Sequence, residues 1–131
     1  MKKTRLLKIL IIITLAFIWI HSTMPPDVSS DESGFVVKIL EGVFGTGNVS
    51  ELLVRKLAHF TEYCLLGLEL MACTGSVSAS MSNGLFAAAV DETIQIFSNR
   101  GSSLADVWID FAGCLLGVLI IYLIRRKKKK T

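Results

Sequence analysis

Ionisable side chains stand inside the apolar stretches of this chain, and that placement constrains its fold more than any compositional total. Lys56, His59 and Glu62 lie in one stretch, Asp91, Glu92 and Gln95 in the next, and Asp106 and Asp110 in the last. A charge near the middle of a bilayer costs roughly 2.5 to 3.5 kcal/mol on insertion scales, so such residues face a protein interior and mark candidate sites. The segments must therefore pack against one another rather than act as separate anchors.

Composition agrees with a membrane protein of a single domain, residues 1–131. Hydrophobic residues make up 52% and charged residues 19% of the chain, and the mean hydropathy is +0.58. The charges are sorted along the sequence. Lys2, Lys3, Arg5 and Lys8 open it, Arg125 to Lys130 close it, and the stretch from Asp27 to Glu51 holds five acids and a single Lys. Basic flanks mark the cytoplasmic side, so both termini are expected there and the number of spans is even. A basic tail directly after an apolar helix reads as a membrane-surface stop signal, and no nucleic-acid partner is expected. The three cysteines, Cys64, Cys73 and Cys114, lie in apolar segments without CxxC spacing. That argues against a disulfide framework or structural zinc, and no metal and no cofactor are expected.

Four transmembrane helices follow in order. The first apolar run, Leu6 to Ile20, lies between basic residues and the Pro25-Pro26 pair, and lacks a small-x-small cleavage site, so it is read as a retained helix. Outside it, Phe35, Val36, Ile39, Leu40, Val43 and Phe44 recur at helical spacing after Ser33, which suggests a short interfacial helix in the first outer loop. Ser50 reads as an N-cap. The second span is expected over about Leu52 to Cys73, a polar turn over Thr74 to Asn83, the third span over about Gly84 to Phe97, and the fourth over about Leu104 to Ile124. The outer turn Ser98 to Ser103 contains Arg100 and Gly101.

This up-and-down order puts the polar residues of all three segments at one depth. At about 1.5 Å per residue, Lys56 to Glu62, Asp91 to Gln95, and Asp106 with Asp110 all fall in the outer half of the membrane. Lys56, His59 and Glu62 spread over a sector of roughly 120°. Glu92 and Gln95 share a face, as do Asp106 and Asp110. Gly113 and Gly117 extend the Asp110 face as Gly-x-x-x-Gly, which allows close helix approach. An all-α four-helix bundle with a polar pocket open to the exterior is expected. Its candidate ligand-binding residues are Lys56, His59, Glu62, Glu92, Gln95, Arg100, Asp106 and Asp110. Lys56 and Arg100 are outnumbered by Glu62, Asp91, Glu92, Asp106 and Asp110, which favours a pocket over a balanced structural network. Glu69, with no partner evident in the sequence, is read as structural.

The same residues carry a resemblance. Arg55-Lys56-Leu57-Ala58-His59-Phe60-Thr61-Glu62-Tyr63 followed by Leu66-Gly67 is similar to the signature of the VanZ-like family of bacterial membrane proteins. So are Asp91-Glu92, Gln95, Phe97, Arg100, Asp106, Asp110, Gly113 and Gly117, and the likeness covers residues 55–117. Members often place a histidine just before the glutamine, where this chain has Ile94. Any role of that histidine as base or ligand is therefore lost. The resemblance implies a multi-pass protein of the bacterial cell membrane and a link to low-level resistance to teicoplanin, a lipid-tailed glycopeptide acting at the outer membrane face.

Two functions compete, and whether the chain is an enzyme stays open. In the first, the pocket binds or protects a lipid-linked cell-wall component or meets the glycopeptide itself, with Lys56, Arg100 and His59 gripping phosphate and the acids accepting hydrogen bonds. In the second, an intramembrane enzyme acts on a lipid or cell-wall precursor. Catalytic candidates are then Glu62 or Glu92 as general base and His59 as acid, with Asp106 or Asp110 holding a cation. An ion or solute carrier ranks third, because four spans make a poor alternating-access device without oligomerisation.

Overall fold

Each apolar run between turn-forming residues becomes a helix in the computed structural model, which describes residues 2–24, 34–39, 42, 50–98 and 103–128. The helices are α1 (Lys2–Thr23), α2 (Glu51–Thr74), α3 (Val77–Phe97) and α4 (Leu104–Lys128), with no strand among the described residues. Of the expected interfacial helix, residues 34–39 are helical; apart from Gly42, the rest of that loop lies outside the described residues. So does Arg100. α1 from Thr4 and all of α4 are long and apolar enough to cross a membrane. α2 and α3 do not pass the same test, because ionisable side chains in α2, and acids and serines in α3, lower their hydropathy.

Local chemistry explains the helix ends. The Ser50 side chain accepts a hydrogen bond from the Leu53 amide at 3.2 Å and caps α2. Gly75 ends α2 in the left-handed region at φ 69°, donating to the Met71 carbonyl at 3.1 Å. The next helix starts at once, because the Ser76 side chain caps the Ala79 amide. The turn is thus two residues, Gly75 and Ser76, and the expected loop from Thr74 to Asn83 is corrected. Its serines after Ser76 are helical: Ser80 is fully buried, donates to the Ser76 carbonyl at 2.7 Å and meets the Thr74 hydroxyl at 2.8 Å. Such back-bonding hides a hydroxyl that looks loop-like in sequence.

Contacts set the directions. Thr14 meets Glu69 and His21 meets Glu62, so α1 and α2 run antiparallel. Phe60 faces Gly113 and Cys64 faces Gly117, so α2 and α4 run parallel. With α3 returning between them, both described chain ends lie at one end of the bundle. α2 and α4 form its largest interface, and glycine makes that possible. A Cβ on Gly113 would overlap the Phe60 carbonyl, one on Gly117 the Cys64 carbonyl, and one on Gly67 the Cys114 carbonyl. The backbones thus touch along the parallel pair, as expected from the Gly-x-x-x-Gly spacing.

The bundle inverts the usual distribution of polarity. Its core mixes Ile18, Tyr63, Leu66, Ala88, Cys114 and Val118 with buried Thr14, Ser22, His59, Ser80, Asp91 and Asp110. Large apolar side chains cover the outside of every helix, among them Ile12, Leu57, Phe86 and Trp108, with Phe97 84% and Leu104 76% exposed. A soluble monomer rarely presents so continuous an apolar surface.

Candidate functional site

The site gathers where α1 ends, α2 begins, α3 ends and α4 begins, at the bundle end opposite the chain termini. The second turn of α2 and the first turn of α4 project Lys56 and Asp106 toward each other, and they pair at 2.8 Å. Their side chains keep 33% and 24% of their surface, so the pair forms the rim. One helical turn deeper, His59 is buried and faces two acids from two other helices. Its Nδ1 lies 3.7 Å from Asp91 Oδ2 on α3 and 3.9 Å from Asp110 Oδ1 on α4. Both separations exceed a hydrogen bond. Gln95, one turn after Asp91, donates to Asp91 Oδ2 at 2.9 Å.

A cleft connects rim and floor. Leu52, Arg55, Lys56, His59, Gln95, Asp106, Ile109 and Asp110 line it, and it has about 40 Å³ of room for water-sized groups. At roughly 10 to 15 Å³ per water, that is space for about three waters or one phosphate-sized group.

The helix α1 does more than anchor. His21 Nδ1 lies 3.2 Å from Glu62 Oε1, and its ring stacks on His59 with centroids 5.9 Å apart and planes 15° apart. Phe17 also stacks with His21, with centroids 6.1 Å apart. Ser22, fully buried, approaches Asp91, although its hydroxyl makes no hydrogen bond of ordinary geometry among the described residues. Tyr63 is likewise fully buried, with Asp91 and Asp110 its strongest charged neighbours and no partner for its hydroxyl among the described residues.

Of the expected residues, Lys56, His59, Gln95, Asp106 and Asp110 line one cleft. Glu62 instead turns from it toward His21, so the sector shared by Lys56, His59 and Glu62 serves two neighbouring helices. Glu92 is buried on the inner face of α3 beside Asp91, within electrostatic reach of Asp110. Glu69 does have a partner, the Thr14 hydroxyl at 3.0 Å. The site also recruits Asp91, Tyr63, Arg55, His21 and Ser22, which the expected binding set omits. Asp91 was visible as one of the acids, and its i, i+4 spacing to Gln95 was the available signal. His21 and Ser22 directly follow the apolar run Leu6 to Ile20, and nothing in that position signals a site.

A bundle with an apolar exterior and a buried ionisable cluster fits a membrane protein with polar residues gathered inside it. The family model described as VanZ/LLP1 matches residues 7–125, and the chain belongs to that family. The match includes α1 from residue 7 onward, consistent with the contribution of His21 to the site. No curated protein and no solved structure matches the chain.

Proposed function

We propose that this VanZ-family chain spans the bacterial cell membrane four times, with both termini cytoplasmic and the cleft open to the outer face. There it holds a small polar group of a lipid-linked or surface component and lowers susceptibility to teicoplanin-type glycopeptides. The observation that carries this reading is the cleft at the bundle end opposite the basic termini, with Arg55 and Lys56 beside its mouth. Guanidinium and ammonium groups suit a phosphate or carboxylate, and the volume suits a headgroup rather than a whole glycan. The exterior supports four spans even where hydropathy alone does not. Exposed Thr61 and Thr93 donate to the Leu57 and Ala89 carbonyls at 2.8 and 2.7 Å, as hydroxyls facing lipid must. Phe35, Val36 and Ile39, all exposed, give the helical stretch 34–39 a face that rests in the headgroup layer.

Among the described residues, no Ser, Thr or Cys lines the cleft. That disfavours a covalent intermediate on a hydroxyl or thiol, so the second reading is an enzyme using acid–base chemistry with His59 in the cleft. The test is teicoplanin and vancomycin susceptibility in a sensitive Gram-positive host expressing the chain, beside a Glu62→Gln, Asp110→Asn double variant of equal membrane abundance. A selective rise in teicoplanin tolerance, absent in the variant, is expected. Unchanged susceptibility with well-expressed wild type rejects the resistance reading.

A further inference from the structure

We propose that His59, Asp91 and Asp110 bind one first-row divalent cation at the floor of the cleft. The three residues come from three helices, and each offers one ligand atom within 4.8 Å of the others. At metal–ligand bonds of about 2.1 Å and tetrahedral or wider angles, donor atoms stand roughly 3.4 to 4.2 Å apart. The His59 separations of 3.7 and 3.9 Å fall in that interval. They are too long for direct hydrogen bonds and of the right length to enclose an ion.

Charge points the same way. Two carboxylates are expensive to desolvate together in an apolar bundle, whereas two carboxylates around a divalent ion form a neutral unit. Two buried polar groups give independent support. Asp91 Oδ1 accepts no hydrogen bond of ordinary geometry among the described residues, and the fully buried Tyr63 hydroxyl beside both acids has no partner there either. An ion held by Asp91 Oδ2, the atom that faces His59, can reach Oδ1 of the same carboxylate as well, and Tyr63 can donate to a ligating carboxylate.

The surroundings suit a metal site. Gln95 holds Asp91 by its Oδ2, and the His21 ring stacked on His59 restricts its rotation, the kind of outer support that fixes ligand orientation. Water-sized space reaches His59 and Asp110 from the rim, so exchangeable positions remain open for waters or an anionic oxygen. One imidazole with two carboxylates favours Mn²⁺, Fe²⁺ or Zn²⁺ over Ca²⁺, which prefers oxygen alone. The linear spacing hides this set, because its members lie 32 and 19 residues apart along the chain. The site goes beyond the resistance reading and stands whether or not the chain alters glycopeptide tolerance.

The test uses the full chain in detergent or nanodiscs, stripped with chelator and titrated with Mn²⁺ alone and Zn²⁺ alone, without drug or lipid-linked substrate. Saturable binding of one ion per chain is expected. His59→Gln, Asp91→Asn and Asp110→Asn should each weaken it at least tenfold, while Glu69→Gln, a membrane acid outside the site, should not change it. X-ray absorption of the zinc-loaded wild type reads the donor set without relying on any variant, and should show one imidazole and oxygen donors. No stoichiometric binding by monodisperse wild type, binding unchanged in all three variants, or sulfur in the zinc shell would overturn the proposal. Because the readout is binding in vitro, its failure is separable from failure of the susceptibility test.

Discussion

Asp91 and Asp106 show how depth sets what a single carboxylate is for. Asp106 sits at the rim, paired with Lys56 at 2.8 Å and partly exposed. Exposed pairs contribute about 0 to 1 kcal/mol, so Asp106→Asn should leave the fold near wild type. Asp91 is fully buried, and Gln95 donates a hydrogen bond to it. Gln95→Leu removes that donor and leaves a buried acceptor wanting. It should destabilise the bundle by about 1 to 3 kcal/mol. Thermal unfolding in detergent, followed by the fluorescence of Trp19 and Trp108, compares the two. An equal effect of both substitutions would contradict this account of depth. The acids themselves were legible because charge in an apolar run is conspicuous. Tyr63 and Ser22 were not, because neither stands out in sequence, and both matter through what they face.

At the scale of the helix, close packing of α2 on α4 decides where the site residues meet. Gly117→Ala should be costly, because the new Cβ meets the Cys64 carbonyl with the Leu68 amide only 2.7 Å away. Neither atom belongs to a flexible side chain that can give way. Overpacking of this kind costs about 1 to 3 kcal/mol, and Gly42→Ala, with nothing within 4 Å of its Cβ, is the control. Thermal midpoints of the two variants in one detergent check this, and equal midpoints would reject backbone contact between α2 and α4. The Gly113 and Gly117 spacing was readable in advance, whereas the partner surface, the carbonyls of Phe60 and Cys64, was not. The start of α3 was misread for a related reason. Ser76, Ser78, Ser80 and Ser82 look like a loop until Ser80 is seen bonded back into its own helix and packed inside.

Across the whole molecule, alternating helix direction gives the bundle two ends, which the proposed four spans put at opposite membrane faces. In a chain whose native cysteines are replaced by serine, a new cysteine at Leu104 should react with a membrane-impermeant thiol reagent applied to intact cells. One at Ser76, at the opposite end, should react only after permeabilisation. Labelling of both from outside would contradict four spans with cytoplasmic termini.

The sequence by itself determined the helical class, the α1 and α4 apolar runs, the glycine seam and most of the acids in the cluster. These are readable because hydropathy, spacing and charge are local properties. Only the tertiary structure decided that Glu62 turns to His21, that α1 completes the site, and that His59 stands between Asp91 and Asp110. Those pairings depend on how four helices rotate about their axes, and that rotation is set by backbone contact at Gly67, Gly113 and Gly117 rather than by the polar residues that the contact brings together.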